Sequence, residues 1–383
     1  MAATPSDGLV PQPLLSLRAA WAFKYGSAGH RTPRHAGGID VEYAMKITII
    51  GAGAIGGHIA AKLAAARERV QVVARGQHLK AIRERGLVLK ENGEEIVARV
   101  DATDRIAEAG GADLIVLGVK AHQLALIAAE LASIVTPTTM VMTTQNGFPW
   151  WYFFKHGGPH EGVRLESVDP GGVIARHLPI DAIVAAISYQ AAEIEAPGVI
   201  RHIEGHRLPV AEIDGQKTER IAALSELFTR AGFKSPALTD VRTEIWTKLW
   251  GNLTFNPISA LTHATLEDLC RFAPTRALAA AMMREAQTVG EAFGIRFRLS
   301  IDKRIAGAES IGAHKTSMLQ DIEHGRATEI DAMLGSVIEL ARLVNVPTPS
   351  LEAVYAVTQL LSETVARSGS GLSLARQAHV EKP

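Results

Sequence analysis

The sequence predicts an α/β protein in which a doubly wound parallel sheet is followed by an all-helical C-terminal domain. In the first half of the chain, short apolar runs of strand length alternate with alanine-rich segments of helical character. From about residue 242 the pattern changes to long helical segments with short breaks, which puts the domain boundary near residue 240. The predicted units are a flexible N-terminal extension over 1–44, a sheet domain over 45–239, a helical domain over 240–370 and a C-terminal tail over 371–383.

Composition excludes several classes of protein. Of the 383 residues, 47% are hydrophobic and 21% are charged, so the chain can bury at least one full core and is not mainly disordered. Its 40 basic and 40 acidic residues give a formal net charge of zero, so no overall field attracts nucleic acid or anionic lipid. A single cysteine, Cys270, excludes an internal disulfide, and no zinc-type Cys/His spacing occurs. These features predict a cytoplasmic, metal-free protein.

The longest uncharged run, 131–154, exceeds the length needed to cross a membrane. Because it contains Pro137, Pro149 and several polar residues, it is predicted to form a strand and a loop. Residues 1–44 lack hydrophobic periodicity and precede a strong strand that begins after Met45. We therefore expect a flexible extension or an upstream start codon rather than a targeting peptide, and no membrane partner.

The first predicted strand, 46–50, leads into a glycine-rich turn and then into an alanine-rich helix over 55–66. A diphosphate needs backbone N–H groups close to it at the positive end of a helix. In this pattern Gly51 makes the tight turn, Gly53 lets the backbone approach the pyrophosphate, and Gly56 allows close packing of helix on strand. The order of strand, glycine turn and helix therefore predicts a Rossmann-type dinucleotide site.

The second predicted strand, 69–74, is followed by Arg75. This is the distance from the glycines at which an acidic residue would hold the ribose 2′-hydroxyl of NAD, and no acidic side chain stands there. The planar guanidinium of Arg75 can instead pair with a 2′-phosphate, which favours NADP(H) as the cofactor. A solvated arginine at a strand end is the structural alternative.

Two further apolar runs, 113–119 and 140–144, have the composition of buried parallel strands. Polar residues follow each run at the carboxyl end, where open α/β sheets bind their ligands. Lys120 is therefore a candidate cofactor contact. Asn146 offers both a donor and an acceptor, which suits a nicotinamide ribose or a polar group of a substrate, and the Asn-Gly pair also fits a purely structural turn.

One helical face in the second half of the chain carries a lysine and two amides. Lys248, Asn252 and Asn256 recur four residues apart between apolar flanks, so the stripe is expected to lie between packed surfaces. A lysine beside a nicotinamide can protonate a ketone oxygen as hydride reaches its carbon, and burial lowers a lysine pKa towards neutrality. The pattern predicts that Lys248 is a proton donor and that the two amides orient a substrate. An ordinary surface lysine is the structural alternative.

Two helix starts are predicted after residue 316. Ser317 begins a pattern typical of a capping box, and a second such pattern begins at Thr328, with Gly325 between them as a helix stop. Ser317 and Glu329 thus lie near helix starts, where a hydroxyl and free N–H groups can receive an anionic ligand. Simple capping and first-turn charge placement explain both residues equally well.

Together these motifs resemble those of a ketopantoate reductase (2-dehydropantoate 2-reductase). The resemblance covers almost everything after residue 45 and rests on KITIIGAGAIGG at 46–57, VVARG at 72–76, DLIVLGVKAHQ at 113–123, QNG at 145–147, PGVIRH at 197–202, WTKLWGNLTFNPISAL at 246–261 and SMLQDIEHGRATEID at 317–331. The glycine motif is shared by many dehydrogenases, whereas the Lys/Asn/Asn stripe and the last segment are specific. The family reduces a 2-oxo acid with NADPH to give pantoate, on the route to coenzyme A.

The resemblance implies a role for each motif residue. The fold expected is a Rossmann-type sheet followed by a substrate-binding helical domain like the C-terminal domain of 6-phosphogluconate dehydrogenase. Lys248 matches the proton donor, and Glu329 matches a catalytic residue at the boundary between cofactor and substrate. The substrate-binding positions are matched by Lys248, Asn252, Asn256 and Ser317. The cofactor contacts are matched by Gly51, Ala52, Gly53, Ala54, Ile55, Gly56, Arg75, Lys120, Asn146, Ala192 and Glu329.

Two departures from the family pattern leave the substrate open. The chain inserts an aromatic segment and a Gly/Pro-containing stretch at 148–178, predicted either to line a larger, more apolar pocket or to form a hydrophobic plug or dimer contact. Met333 and Leu334 stand where the family often has Asn-Gly. The alternatives to ketopantoate reduction are a reductase of a bulkier 2-oxo acid and a non-catalytic NADP(H)-sensing protein. The expected partner is a small 2-oxo acid, and the oligomeric state stays open between monomer and homodimer.

Overall fold

The structure of the protein, a computed structural model, describes residues 45–373. The predicted N-terminal extension, 1–44, and residues 374–383 of the predicted tail lie outside the described residues. Within the described part, strands occupy the first half of the chain and helices occupy the second half.

Twelve strands form two sheets in the described part of the chain. Their bounds are β1 Lys46–Ile50, β2 Arg69–Val73, β3 Leu87–Glu91, β4 Glu94–Ala98, β5 Asp101–Thr103, β6 Leu114–Leu117, β7 Met140–Thr143, β8 Ile183–Ala186, β9 Ala191–Ala196, β10 Val199–Glu204, β11 Val210–Glu212 and β12 Ala237–Leu238. The larger sheet has the order β12–β11–β8–β7–β6–β1–β2–β5, and the smaller has the order β4–β3–β10–β9. Neighbours from β5 through β8 pair in parallel, and β11 pairs antiparallel with β8.

The central parallel strands of the larger sheet are buried, as their continuous apolar runs predict. Every residue of β6 and of β7 is buried, and β1 is buried beyond its first residue. On one side of β1 the sheet continues with β2 and then β5. On the other side of β1 it continues with β6, β7 and β8. Open α/β sheets bind ligands where the strand order reverses in this way, which here is at the carboxyl ends of β1 and β6.

The smaller sheet was not predicted from the sequence. It joins the β3–β4 hairpin to the β9–β10 hairpin through a parallel pairing in which Val88 lies opposite Val199. The first helix, α1 (Ala54–Ala65), packs closely on this sheet, since a Cβ added to Gly57 would lie 2.8 Å from the side chain of Ile200. The helix that follows the glycine turn is therefore held between the two sheets.

Eleven more α-helices follow α1 in the described chain. They are α2 Gly76–Arg85, α3 Ala121–Ala132, α4 Val173–His177, α5 Glu219–Arg230, α6 Val241–Thr262, α7 Leu266–Arg271, α8 Ala273–Ala292, α9 Ile301–Glu309, α10 Ser317–Glu323, α11 Ser336–Leu343 and α12 Pro349–Ser368. The Asp240 carboxylate caps α6 by accepting a hydrogen bond from the N–H of Thr243 at 3.1 Å. No helix within 45–373 combines the length and apolar character needed to cross a bilayer.

The inserted aromatic segment, 148–154, forms a plug within the core. Trp151 and Tyr152 are each 1% exposed, and two indole N–H groups hold the segment in place. Trp151 donates to the hydroxyl of Thr143 at 3.0 Å, and Trp246 on α6 donates to the hydroxyl of Tyr152 at 2.9 Å. These bonds join the sheet to the central helix of the second half. The plug alternative is therefore the correct one, because no residue of 148–154 lines the main cleft.

Candidate active site

A cleft of about 1490 Å³ runs between the carboxyl edge of the larger sheet and the helices α6, α9 and α10. Most of the predicted site residues line it, namely Gly51, Gly53, Ala54, Ile55, Lys120, Asn146, Ala192, Lys248, Asn252, Asn256, Ser317 and Glu329. Three predicted residues do not line it. Ala52 and Gly56 are buried within the glycine turn and the start of α1, and Arg75 is exposed at the end of β2.

The glycine turn has the geometry that its sequence predicts. Gly51 has a φ of +94°, and a Cβ there would lie 2.8 Å from the side chain of Val119. A Cβ on Gly56 would lie only 2.1 Å from the carbonyl oxygen of Gly51. Gly53, in contrast, faces the cleft, has no such neighbour nearer than 4.0 Å, and precedes α1 without a side-chain cap. The open N-terminus of α1 is therefore suited to a diphosphate.

Arg75 stands between β2 and α2, close to this turn. Its backbone is extended, and the preceding strand holds the turn in place because the Gly51 N–H donates to the carbonyl of Val73 at 3.0 Å. The guanidinium is open to solvent beside the turn. It is thus accessible to an anionic group of a ligand that lies along the turn.

His78 fixes the glycine turn from the other side, a role that sequence analysis missed. Its Nδ1 accepts a hydrogen bond from the N–H of Gly198 at 3.0 Å, so Nε2 carries the proton and donates to the carbonyl of Ala52 at 2.8 Å. Burial lowers the pKa of His78, which favours this neutral form. The ring links the turn to the β9–β10 hairpin.

Lys248 on α6 reaches the edge of the sheet. Its Nζ donates a hydrogen bond to Oδ1 of Asn146 at 2.7 Å, and Nδ2 of Asn146 donates in turn to Oε2 of Glu329 at 3.4 Å. Burial lowers the pKa of Lys248 to about 8, and the charge of Glu329 partly opposes this shift. Lys248 is therefore an ammonium group that can lose a proton near neutral pH, which suits a general acid.

Glu329 does more than place a charge in the first turn of a helix, which was its structural alternative. The carboxylate is 6% exposed and crosses the cleft, where Oε1 accepts from the N–H of Ala121 at 3.0 Å, at the start of α3. Its Oε2 lies 3.7 Å from Nζ of Lys120, which also pairs with the buried Asp321. Glu329 thus joins the two halves of the molecule and holds Asn146 and Lys120 in position.

The prediction that Ser317 caps a helix was wrong by one residue. Thr316 is the N-cap of α10, because its hydroxyl accepts from the N–H of Leu319 at 3.3 Å. Ser317 is the first residue inside the helix, and its side chain is left exposed at the cleft. The hydroxyl of Ser317 is therefore available to a ligand instead of to the backbone.

The two amides of the α6 stripe have different surroundings. Asn252 is partly exposed at the cleft. Asn256 is 6% exposed, and its Nδ2 lies 3.9 Å from the sulfur of Met333. A thioether accepts hydrogen bonds weakly, so the departure at Met333 leaves the amide of Asn256 with spare donor capacity towards the cleft.

Sequence analysis missed Arg304 on α9. Its guanidinium lies against α6, since a Cβ on Gly251 would come within 2.0 Å of Nη2, and it stacks over Phe255 at 5.8 Å. Burial lowers the pKa of Arg304, and no carboxylate within 45–373 forms an ion pair with it. Gly251 follows Lys248 by one helical turn, so the cleft holds a second cation near the first.

Gln190 was also missed. Its side chain lines the cleft and is buried, yet both its amide nitrogen and its amide oxygen lack hydrogen-bond partners. The hydroxyl of Ser188 is in the same situation two residues earlier. Unpaired buried polar groups that face a cleft indicate a polar ligand, because each would otherwise cost free energy. These residues therefore add polar groups to the part of the cleft that Ala192 lines.

Two protein-family models match most of the described chain. Residues 47–215 match the model of "Ketopantoate reductase PanE/ApbA", and residues 240–362 match that of "Ketopantoate reductase PanE/ApbA C terminal". The chain belongs to the ketopantoate reductase family. The fold prediction, an α/β sheet domain followed by a helical one, is confirmed by the structure and by these matches.

Individual ketopantoate reductases support the same assignment. A 2-dehydropantoate 2-reductase of Mesorhizobium japonicum is 51% identical over 319 residues, which cover 83% of this chain and 98% of that protein. A solved ketopantoate reductase of Ralstonia eutropha is 26% identical with a TM-score of 0.72, covering 84% of this chain and 99% of that one. A solved 2-dehydropantoate 2-reductase of Methylococcus capsulatus is 26% identical with a TM-score of 0.71, covering 84% and 98%.

Proposed function

We propose that this protein reduces 2-dehydropantoate (ketopantoate) to pantoate with NADPH, a step in pantothenate and coenzyme A biosynthesis. The observation that carries the proposal is Lys248, an amine with a pKa of about 8 that is hydrogen-bonded to Asn146 in the cleft beside the glycine turn. A non-catalytic NADP(H) sensor has no use for a proton donor of this kind. The 51% identity to a 2-dehydropantoate 2-reductase supports the same activity.

The residues of the sheet half fit the proposed cofactor. The turn from Gly51 to Gly56 and the uncapped start of α1 would hold the pyrophosphate of NADP(H), and Arg75 would pair with the 2′-phosphate. The unpaired polar atoms of Gln190 and Ser188 would meet polar groups of the same ligand. On this basis we assign cofactor binding to 45–239 and substrate binding to 240–370.

When bound, NADPH supplies the hydride that reduces the keto carbon. The chain supplies the proton, because Lys248 donates it from Nζ to the keto oxygen and is then reprotonated from solvent. Asn146 holds the amine in position through its 2.7 Å hydrogen bond, and the negative charge of Glu329 keeps the amine protonated near neutral pH. The products are the 2-hydroxy acid and NADP⁺.

The substrate carboxylate is proposed to pair with Arg304. This guanidinium is desolvated, faces the cleft and lies over Gly251, one turn along α6 from Lys248. The carboxylate and the keto group of a 2-oxo acid are bonded to each other. Two neighbouring cations can therefore bind both groups, with Arg304 at the carboxylate and Lys248 at the keto oxygen. Asn252, Asn256 and the free hydroxyl of Ser317 would orient the remaining polar groups.

We further propose that the enzyme acts in the cytoplasm on a small 2-oxo acid. The single cysteine, Cys270, is buried and free, which suits a reducing compartment. A homodimer stays a prediction, and sedimentation equilibrium tests it.

A panel of 2-oxo acids tests the proposed function. Steady-state oxidation of NADPH and of NADH is followed by absorbance with ketopantoate and with bulkier 2-oxo acids such as benzoylformate. We expect the highest kcat/KM for ketopantoate with NADPH. A bulkier acid as the best substrate would move the assignment to another reductase, and binding of NADPH without oxidation by any acid would leave a cofactor sensor.

A further inference from the structure

A cluster of imidazoles around one carboxylate lies outside the active site, between α1 and the smaller sheet. Nε2 of His58, Nδ1 of His202 and Nδ1 of His206 lie 3.3, 3.4 and 3.8 Å from the same atom, Oε1 of Glu91. The ligand atoms of His58, Glu91 and His202 all lie within 4.8 Å of one another. His58 is fully buried, and the side chain of His206 is 43% exposed at the edge of the cluster.

The hydrogen bond of His202 fixes which of its nitrogens faces the carboxylate. Its Nε2 lies 2.8 Å from the carbonyl oxygen of Gly205, and because a carbonyl only accepts, Nε2 carries the proton. Nδ1 is then the nitrogen that faces Oε1 of Glu91, 3.4 Å away. An imidazole nitrogen and a carboxylate oxygen at this separation can both bind one cation placed between them.

The other groups of the cluster are prepared for the same cation. His58 is fully buried, its Nε2 is aimed at Oε1 of Glu91 at 3.3 Å, and its Nδ1 has no hydrogen-bond partner. Nζ of Lys62 donates to the second carboxylate oxygen of Glu91 at 2.7 Å, which leaves Oε1 directed at the imidazoles. The ammonium of Lys62 also opposes an added positive charge and therefore limits the affinity of the site.

The two distances from Glu91 to His58 and His202 match those of a tetrahedral zinc site, whereas the three ligand atoms together span up to 4.8 Å, so the imidazoles would draw together around the ion. Zn²⁺ binds imidazole nitrogen at about 2.0–2.1 Å and carboxylate oxygen at about 2.0–2.2 Å, which puts neighbouring ligand atoms about 3.3–3.5 Å apart. The distances from Glu91 Oε1 to His58 and His202 fall within this range. Nδ1 of His206, at 3.8 Å, lies 0.3 Å beyond this range, and its exposed ring can turn inward.

We propose that His58, Glu91, His202 and His206 bind one divalent transition-metal ion of the zinc class. The ion would join α1 to the end of β3, to β10 and to the loop after β10. Four protein ligands close the coordination sphere, so the role is structural: the ion stabilises the packing of the helix that begins at the glycine turn. The ligands are spread over almost 150 residues, which is why the sequence predicted a metal-free protein.

Metal titration of the chelator-treated full chain tests this site. Co²⁺ is added while its visible absorption is followed, since four-coordinate Co²⁺ absorbs strongly, and Zn²⁺ is then added to displace it. We expect one ion per chain and a higher Tm in its presence. His202→Gln and His206→Gln should each raise the Kd more than about tenfold. His177→Gln removes an exposed imidazole elsewhere and should bind as the wild type does.

His206→Gln keeps the test decisive if the buried His202 variant fails to fold, because His206 is exposed and contributes little to the core. The proposal is overturned if the wild-type chain binds no stoichiometric ion, or if both histidine variants bind the ion as tightly as the His177 control. Neither result depends on reductase activity, so failure of the metal-site proposal can be distinguished from failure of the proposed function.

Discussion

Arg304→Met tests whether this half-buried guanidinium holds the substrate carboxylate. Methionine keeps an apolar stem of similar length and removes the charge, and the guanidinium has no ion-pair partner to leave behind within 45–373. A hydrogen bond to a charged group contributes about 1.5–3 kcal/mol, so the KM for ketopantoate should rise roughly tenfold to 150-fold. The KM for NADPH should not change, because Arg304 lies on α9, away from the glycine turn.

The assay is steady-state NADPH oxidation over a range of ketopantoate concentrations. Arg298→Met is the matched control, since Arg298 lines the same cleft but is exposed, and its KM should stay within about twofold of the wild type. The methyl ester of ketopantoate adds a second check, because without the carboxylate it should react equally well with wild type and variant. A KM for ketopantoate that is unchanged in the Arg304 variant would refute the reasoning.

Three other predictions concern proton supply, cofactor choice and the plug. The kcat for reduction should fall as pH rises through about 8, because Lys248 loses its proton there, and the rate of pantoate oxidation should rise over the same range in initial-rate profiles. Arg75→Ala should raise the KM for NADPH at least about tenfold and leave that for NADH unchanged, with the exposed Lys80→Ala as control. Phe153→Ala should lower the free energy of unfolding, measured in urea, by about 3–5 kcal/mol, because Phe153 is 1% exposed. The control variant Phe272→Ala should lower it by less than about 0.5 kcal/mol, because Phe272 is 62% exposed.

Local patterns predicted four of the eight strands of the larger sheet closely, namely β1, β2, β6 and β7. The predicted strand 69–74 became β2 at Arg69–Val73, and the apolar run 113–119 became β6 at Leu114–Leu117. Burial on both faces explains the clear signal of β6 and β7, since such parallel strands bear almost only apolar residues. The Lys/Asn/Asn stripe was equally readable because Lys248, Asn252 and Asn256 lie on one long helix.

Contacts between distant segments could not be predicted in the same way. Lys120 pairs with Asp321, which is 201 residues away, and β3 pairs with β10 across more than 100 residues. Arg304 lies on a short helix whose sequence resembles any amphipathic surface helix, so only the close approach to Gly251 shows that it faces the cleft. The N-cap of α10 is Thr316 and not the predicted Ser317. Because either of two adjacent hydroxyl residues can cap a helix, sequence alone does not fix the helix start to a single residue.

The central claim is that Lys248 supplies the proton in a cleft shared with the nicotinamide. The turnover rate of the Lys248→Ala variant tests this claim most directly. Lys217→Ala, which replaces an exposed lysine, is the control. The kcat for ketopantoate reduction should fall about 10²- to 10⁴-fold while NADPH binding, followed by fluorescence, stays within about twofold. A Lys248→Ala enzyme that turns over at the rate of the Lys217 control would contradict the account.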